Sequence, residues 1–236
     1  MKKGLILICL TVLIFTITSG VMAAGSIGVD VIPGGSDSLG SGDFDLLSFG
    51  DMHQTGKFAS SFLSFEGVAN DFKVAVDLGS GTDKFNRGDF FLTGREYDFT
   101  MAEYKFGARV INRERVKWDI TISSLQIDLE DGLNHVSEDA YLLGFDAEFA
   151  PSKKVSFGGS LGWSAFGVNY EENGVEYDPN YLMVFKARVN FAVADHAALS
   201  IGYRNISCLV DGYDTGSSNS LNRTFSGFSV GVRYTF

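Results

Sequence analysis

From Phe225 to Phe236 the chain alternates with a period of two. Phe228, Val230, Val232, Tyr234 and Phe236 are apolar, and Ser229, Gly231, Arg233 and Thr235 stand between them. That period puts the apolar side chains on one face of a β-strand. In a water-soluble protein such a strand is an aggregation template, because its oily face and one row of peptide groups lack partners. A closed membrane barrel removes both problems, since lipid meets the apolar face and every strand edge is paired.

The amino-terminus agrees with export. Met1-Lys2-Lys3 is basic, Leu5 to Ile17 is apolar apart from Thr11 and Thr16, and Val21-Met22-Ala23-Ala24 supplies small residues for cleavage. This is the pattern of a secretory signal peptide. The apolar run is shorter than the roughly 20 residues that a retained membrane helix needs. Residues 1–23 are therefore expected to be removed. Cys9 leaves with them, so the mature chain keeps Cys208 alone and has no internal disulfide. The net charge of -10 becomes more negative, because Lys2 and Lys3 are lost and no acid is. A strongly acidic chain gives no basic face for nucleic acid.

Twenty-one Phe, nine Tyr, 28 Gly and three Pro suit a chain of strands and turns. Residues 24–42, rich in Gly and Ser around Pro33, read as a flexible leader, since the alternation of Ile27, Val29 and Val31 is too short to define a strand. The barrel domain is expected over 43–236, with strands at 43–50, 57–68 and 72–78, the last after an Ala69-Asn70-Asp71 turn. Residues 79–96 read as a long loop whose rim extends as a hairpin through Phe90 to Leu92. Further strands follow at 102–110, 116–127, 140–150, 154–168, 181–193, 197–209 and 225–236. In the fifth, Trp118, Ile120 and Ile122 share a face and Leu125 and Ile127 fall out of phase, as a bulged residue would cause. Connections 151–153 and 194–196 are short, and 128–139, 169–180 and 210–224 are long and polar. Short periplasmic turns and long external loops are the rule for outer-membrane barrels, so the carboxy-terminal edge is expected in the periplasm. The fold class is all-β: a closed antiparallel up-and-down transmembrane barrel of ten strands, or eight if everything before Asn70 is leader.

The phase of each strand assigns its faces. Tyr104, Phe106, Trp118, Tyr141, Phe145, Phe149, Phe157, Trp163, Tyr181, Phe185, Phe191, Tyr203, Tyr234 and Phe236 are expected on lipid, where aromatic girdles belong. Lys73, Asp77, Glu103, Lys105, Arg109, Lys117, Asp119, Asp146, Glu148, Lys186, Arg188, Arg204 and Arg233 are expected in the lumen, with Gly158, Ser160, Gly162 and Ser164. A Lys or Arg on lipid costs about 2 to 4 kcal/mol at mid-membrane, so the phase is held. Two readings of the lumen stand. The charges interlock as ion pairs that fill a narrow interior, or they line a small conduit whose more numerous bases favour anions. The length argues against a large porin, which uses about 16 to 18 strands.

Ser229, Gly231, Tyr234 and Phe236 match the polar-x-Gly-x-x-aromatic-x-aromatic terminal signal of bacterial outer-membrane barrel proteins. Together with the signal peptide and the hairpin series, they make the chain resemble small outer-membrane barrels of the OmpA-like and OmpW-like kind. The motif covers only the last eight residues. The resemblance implies residence in the bacterial outer membrane, contact with its lipid and lipopolysaccharide, insertion by the barrel-assembly machinery, and no cofactor. No peptidoglycan-binding segment follows the barrel, so wall anchoring by that route is not expected.

The polar connections hold the remaining candidates. Asp128, Glu130 and Asp131 with Glu138 and Asp139, and Glu171 and Glu172 with Glu176 and Asp178, are acidic clusters without the spacing of a calcium loop. His135-Val136-Ser137 resembles the His-x-Ser of lipid A 3-O-deacylases, but that pair lies on a carboxy-terminal strand and is followed by Asn, whereas here Glu138 follows in a mid-chain acidic stretch. His53 and His196 have no zinc-ligand spacing, and Cys208 reads as a small buried residue. Loop 210–224 reads as an adhesive or gating segment, or as filler. No catalytic, cofactor or metal residue is assigned. Three functions remain, in order: a structural or surface-interaction barrel, a channel for small or hydrophobic solutes, and a lipid A-modifying enzyme.

Overall fold

The structure is a computed structural model, and it describes residues 24–41, 52–88, 96–172, 174–177, 179–211 and 220–236. The signal-peptide segment, the strand expected at 43–50 and the Phe90–Leu92 rim lie outside them. Ten long strands form the wall: β1 (Ala24–Ser41), β2 (Met52–Ala69), β3 (Phe72–Gly88), β4 (Glu96–Asn112), β5 (Val116–Glu130), β6 (His135–Ser152), β7 (Val155–Glu172), β9 (Pro179–Ala194), β10 (Ala197–Asp211) and β11 (Ser220–Thr235). A short strand, β8 (Val175–Tyr177), folds back on the end of β7. Each long strand pairs antiparallel with its neighbours, and β1 closes on β11 to complete the ring. Gly25 and Phe236 exchange both backbone hydrogen bonds, at 3.1 and 3.0 Å, so the two ends of the chain lock the closing seam.

The count of ten stands, but its first member is not the one expected. Residues 24–41 are β1, hydrogen-bonded on both sides, instead of a leader. Its irregular composition has a local cause. Pro33 sits where both ladders skip register, between Val31 and Ser36 against β11 and between Ile32 and Gly35 against β2. A proline is tolerated there because no ladder bond needs its missing N–H.

The connections are also shorter than the polarity of the sequence suggested. Residues 128–139 are not a long loop: β5 and β6 run on to a turn at Asp131-Gly132-Leu133-Asn134. The Asp131 carboxylate accepts bonds from the Leu133 and Asn134 amides at 2.9 and 2.7 Å, and Gly132 takes the positive φ of 81°. At the opposite end Asn70 (φ 54°) turns β2 into β3, as its tolerance of left-handed backbone allows. Much of 79–96, 169–180 and 210–224 is likewise strand.

Side chains divide the barrel into two tiers along its axis. Toward the short turns, Ile120, Ile122, Phe145, Phe157, Phe191, Val230 and their neighbours are exposed on the outer wall. Toward the other end the apolar residues turn inward, and Phe58, Phe99, Leu125, Ile127, Leu129, Leu182, Ile206 and Phe225 form one buried cluster. β5 shows the exchange without any bulge. Asp119, Thr121, Ser123, Leu125, Ile127 and Leu129 are successive inward residues of one unbroken register with β6. The phase change read at Leu125 is therefore a change of surroundings, not of backbone.

Candidate functional site

The strand ends near the short turns carry the inward charges, and all thirteen residues assigned to the lumen surround one cavity of about 110 Å³. Asp30 and Glu66 join them, and both were missed because β1 and β2 have weak alternation. The thirteen are brought together by register. Arg109 lies opposite Asp119 across the β4–β5 ladder, and Asp119 lies opposite Asp146 across β5–β6.

Most of these charges are paired. Lys73 Nζ lies 2.9 Å from Asp146 and 3.1 Å from Glu66. Lys105 Nζ donates to Asp146 at 2.9 Å and to Ser160 Oγ at 2.7 Å. Arg109 Nε donates to Asp119 at 2.8 Å. Across the interior, Asp77 accepts bonds from Lys186 and from Arg204, each at 2.7 Å, and Ser64 Oγ adds a third at 3.0 Å. Lys186 also pairs with Glu103. Lys117 and Glu148 form a looser pair of 3.5 Å where the cavity opens. Such a network is favourable only because the partners satisfy one another; removing one leaves a buried charge behind.

Arg204 marks the junction between the tiers. Its guanidinium is bonded to Asp77 on the charged side and lies 3.6 Å above the centre of the Phe62 ring on the apolar side. Above it the aromatic rings interlock. Phe58 meets Phe99 edge-on at 4.8 Å, and Phe225 packs against both at 5.4 and 5.6 Å. The apolar tier holds two polar features that the sequence reading missed. Arg223 pairs with the fully buried Asp83 at 3.4 Å. Glu138 is fully buried, and among the described residues neither of its oxygens has a hydrogen-bond partner.

The other candidates do not assemble. The first acidic cluster is split, because Asp131 is used by its own turn while Glu138 points inward. Among the described residues no group of His, Cys, Asp and Glu could hold a metal ion. His135 and Ser137 lie on β6, not in a loop, with His135 Nε2 3.4 Å from Asp128 and Ser137 buried. His196 bonds the Thr235 carbonyl at 2.9 Å through Nδ1. Cys208 is a buried free thiol in the apolar cluster.

No protein-family model matches the chain, and no curated protein does. A solved structure shares its fold, and others align with it more loosely. An outer-membrane channel from Pseudomonas putida F1 aligns over 92% of this chain and 98% of its own length at 10% identity, with a TM-score of 0.53. Neisserial surface protein A aligns over 91% and 99% at 14% identity with a TM-score of 0.37. The Ralstonia pickettii toluene transporter TbuX aligns over 89% and 73% at 12% identity, also at 0.37. In fold, the chain is a small outer-membrane β-barrel of ten strands.

Proposed function

We propose that the protein is an integral outer-membrane barrel with a structural or surface-interaction role, and that its narrow, charged interior is sealed against ion flow. The observation that carries this is the stacking of the two tiers. An ion hydrated among Lys73, Asp77 and Lys186 meets the packed cluster of Phe58, Phe99, Leu125, Ile127 and Leu129 in the next layer. Crossing such a layer strips the ion of water, and the polar groups buried in that tier, Glu138 and the Arg223–Asp83 pair, do not replace its shell. In this reading lipid and lipopolysaccharide surround the barrel, the barrel-assembly machinery inserts it, and the short turns face the periplasm. Ser229, Gly231, Tyr234 and Phe236 serve as the insertion signal. The test is conductance in a planar bilayer. The native protein is expected to be silent, and discrete conductance steps would refute the seal.

A second reading, a path for small hydrophobic solutes, has one observation in its favour. The β7–β9 ladder stops at Trp163 and Met183, and just above it Ser164 Oγ accepts from the Leu182 amide at 3.0 Å in place of a ladder bond. Stapling that seam with a disulfide between residues 164 and 182 would abolish uptake if solutes pass there. A lipid A-modifying activity has less support, since Ser137 is buried in β6. Loss of acyl-chain release in Ser137→Ala would establish it.

A further inference from the structure

The cavity is charged asymmetrically. Every acid around it comes from β1 to β6, whereas β9, β10 and β11 contribute only the bases Lys186, Arg188, Arg204 and Arg233. Lys186 and Arg204 reach across to Asp77 and are satisfied. Arg188 and Arg233 are not. Arg188 Nη2 stands 3.9 Å from Glu66, whose carboxylate is already held by Lys73 at 3.1 Å. Among the described residues Arg233 has no carboxylate within ion-pair distance, and its Nη1 donates to Ser26 Oγ at 3.1 Å. Two like charges therefore face the same space with one strained claim on a shared acid.

Among the described residues three donors there lack any acceptor: the buried Nε–H groups of Arg188 and Arg233, and the hydroxyl of Ser200. Each line the cavity. A buried donor without an acceptor is unfavourable, so the site calls for oxygen atoms that the described residues do not provide. Two glycines admit these arginines to the wall of the cavity. A Cβ at Gly28 would lie 3.2 Å from the Arg233 guanidinium carbon, and one at Gly158 would lie 2.9 Å from Arg188 Nε. The volume of about 110 Å³ holds on the order of eight waters, enough for a small oxyanion with part of its shell. Access is from the turn end, because the apolar tier closes the other.

The geometry points to a binding site for a small phosphate-class oxyanion between Arg188 and Arg233, with Ser200 as a third donor. Planar guanidinium groups bind such oxygens through paired, charge-assisted hydrogen bonds. The same chemistry is carried by a free phosphate compound and by a lipid head group.

The test is a titration of the nitrogen-15-labelled full chain, folded in non-ionic detergent micelles, followed through the arginine Nε–Hε resonances. Inorganic phosphate is compared with sodium chloride at equal ionic strength. The expected result is a saturable shift confined to Arg188 and Arg233, seen with phosphate and not with chloride. It should weaken roughly tenfold in Arg188→Gln and in Arg233→Gln, and stay unchanged in Lys154→Gln, in the exposed β6–β7 turn. Should an arginine variant fail to fold, Gly158→Ala keeps both charges but crowds Arg188, and the same weakening is expected. A second arm replaces phosphate with bicelles containing phosphatidylglycerol. Saturation there alone assigns the site to a lipid head group, and saturation with inorganic phosphate assigns it to a free solute. A shift that is linear in both arms, that chloride reproduces, or that persists undiminished in the variants overturns the proposal and leaves the three donors to water.

Discussion

The two tiers of this barrel are built from the same strands and follow opposite rules. On β5 the outward residues Trp118, Ile120 and Ile122 are apolar and give way to Gln126, Asp128 and Glu130, while the inward residues pass from Asp119 to Leu125, Ile127 and Leu129. β4 makes the same exchange, from inward Lys105 and Glu103 to Met101, Phe99 and Tyr97. The ladder between the two strands is continuous through the change, with Glu103 opposite Leu125 and Met101 opposite Ile127. What differs, in the outer-membrane reading proposed above, is the solvent outside. A transmembrane strand needs only about nine to eleven residues, and these strands have 15 to 18. The surplus stands in water, where a barrel must keep its apolar side chains inside. Polarity of the interior is thus set by what surrounds the wall at each level, and one chain solves both problems in sequence.

The largest expected effect breaks the charged tier. Asp77 is the carboxylate that pairs with both Lys186 and Arg204, so Asp77→Ala strands the buried Arg204 and leaves Lys186 to Glu103. Stability to urea in lipid vesicles should fall by about 4 kcal/mol. The matching change in the apolar tier, Leu125→Ala, removes a fully buried side chain and should cost about 3 kcal/mol as a cavity. If the first variant were the more stable of the two, the charged tier would be tolerated rather than supportive. Conductance sharpens the contrast, since only the Leu125 variant is expected to thin the seal.

The boundary between the tiers is open to test on one face of one strand. Ile122→Lys places an ammonium on the outer wall at the level of exposed Trp118 and Ile120, and should cost about 2 kcal/mol. Gln126→Lys, four residues on along the same face, is expected to be neutral. Equal costs at both positions would move the membrane boundary beyond Gln126 and remove the explanation for the apolar interior.

This boundary is also where sequence reasoning failed. The period of two placed Lys105, Arg109, Asp119 and Asp146 on one side and Phe106, Ile120 and Phe145 on the other, because within lipid a single rule holds. Leu125 and Ile127 violated that rule and suggested a bulge, since nothing in a strand's own alternation states what lies outside it. The polar outward residues of the same tier made 128–139 resemble a loop. β1 was missed for a different reason. Its Gly28 is small to admit Arg233 from β11, and a residue chosen for a partner some 200 positions away looks locally like the composition of a linker. Arg188 and Arg233 were legible as lumen bases, but the unmet Nε–H groups found among the described residues depend on contacts between strands.

The smallest effect separates buried from open pairs within the charged tier itself. Arg109 and Asp119 have side chains only 9% and 5% exposed, whereas Lys117 and Glu148, one rung nearer the mouth, are 38% and 44% exposed. Water at the mouth already solvates each partner and screens their attraction, so Lys117→Gln should change stability by less than about 0.5 kcal/mol. Arg109→Gln leaves Asp119 with only a 3.9 Å claim on Lys73 and should cost several times more. The ratio between the two variants, read from the same unfolding curves, measures how far water enters from the turn end. A Lys117 effect as large as that of Arg109 would mean that the mouth is drier than its exposure indicates. The oxyanion site would then lose its route of entry.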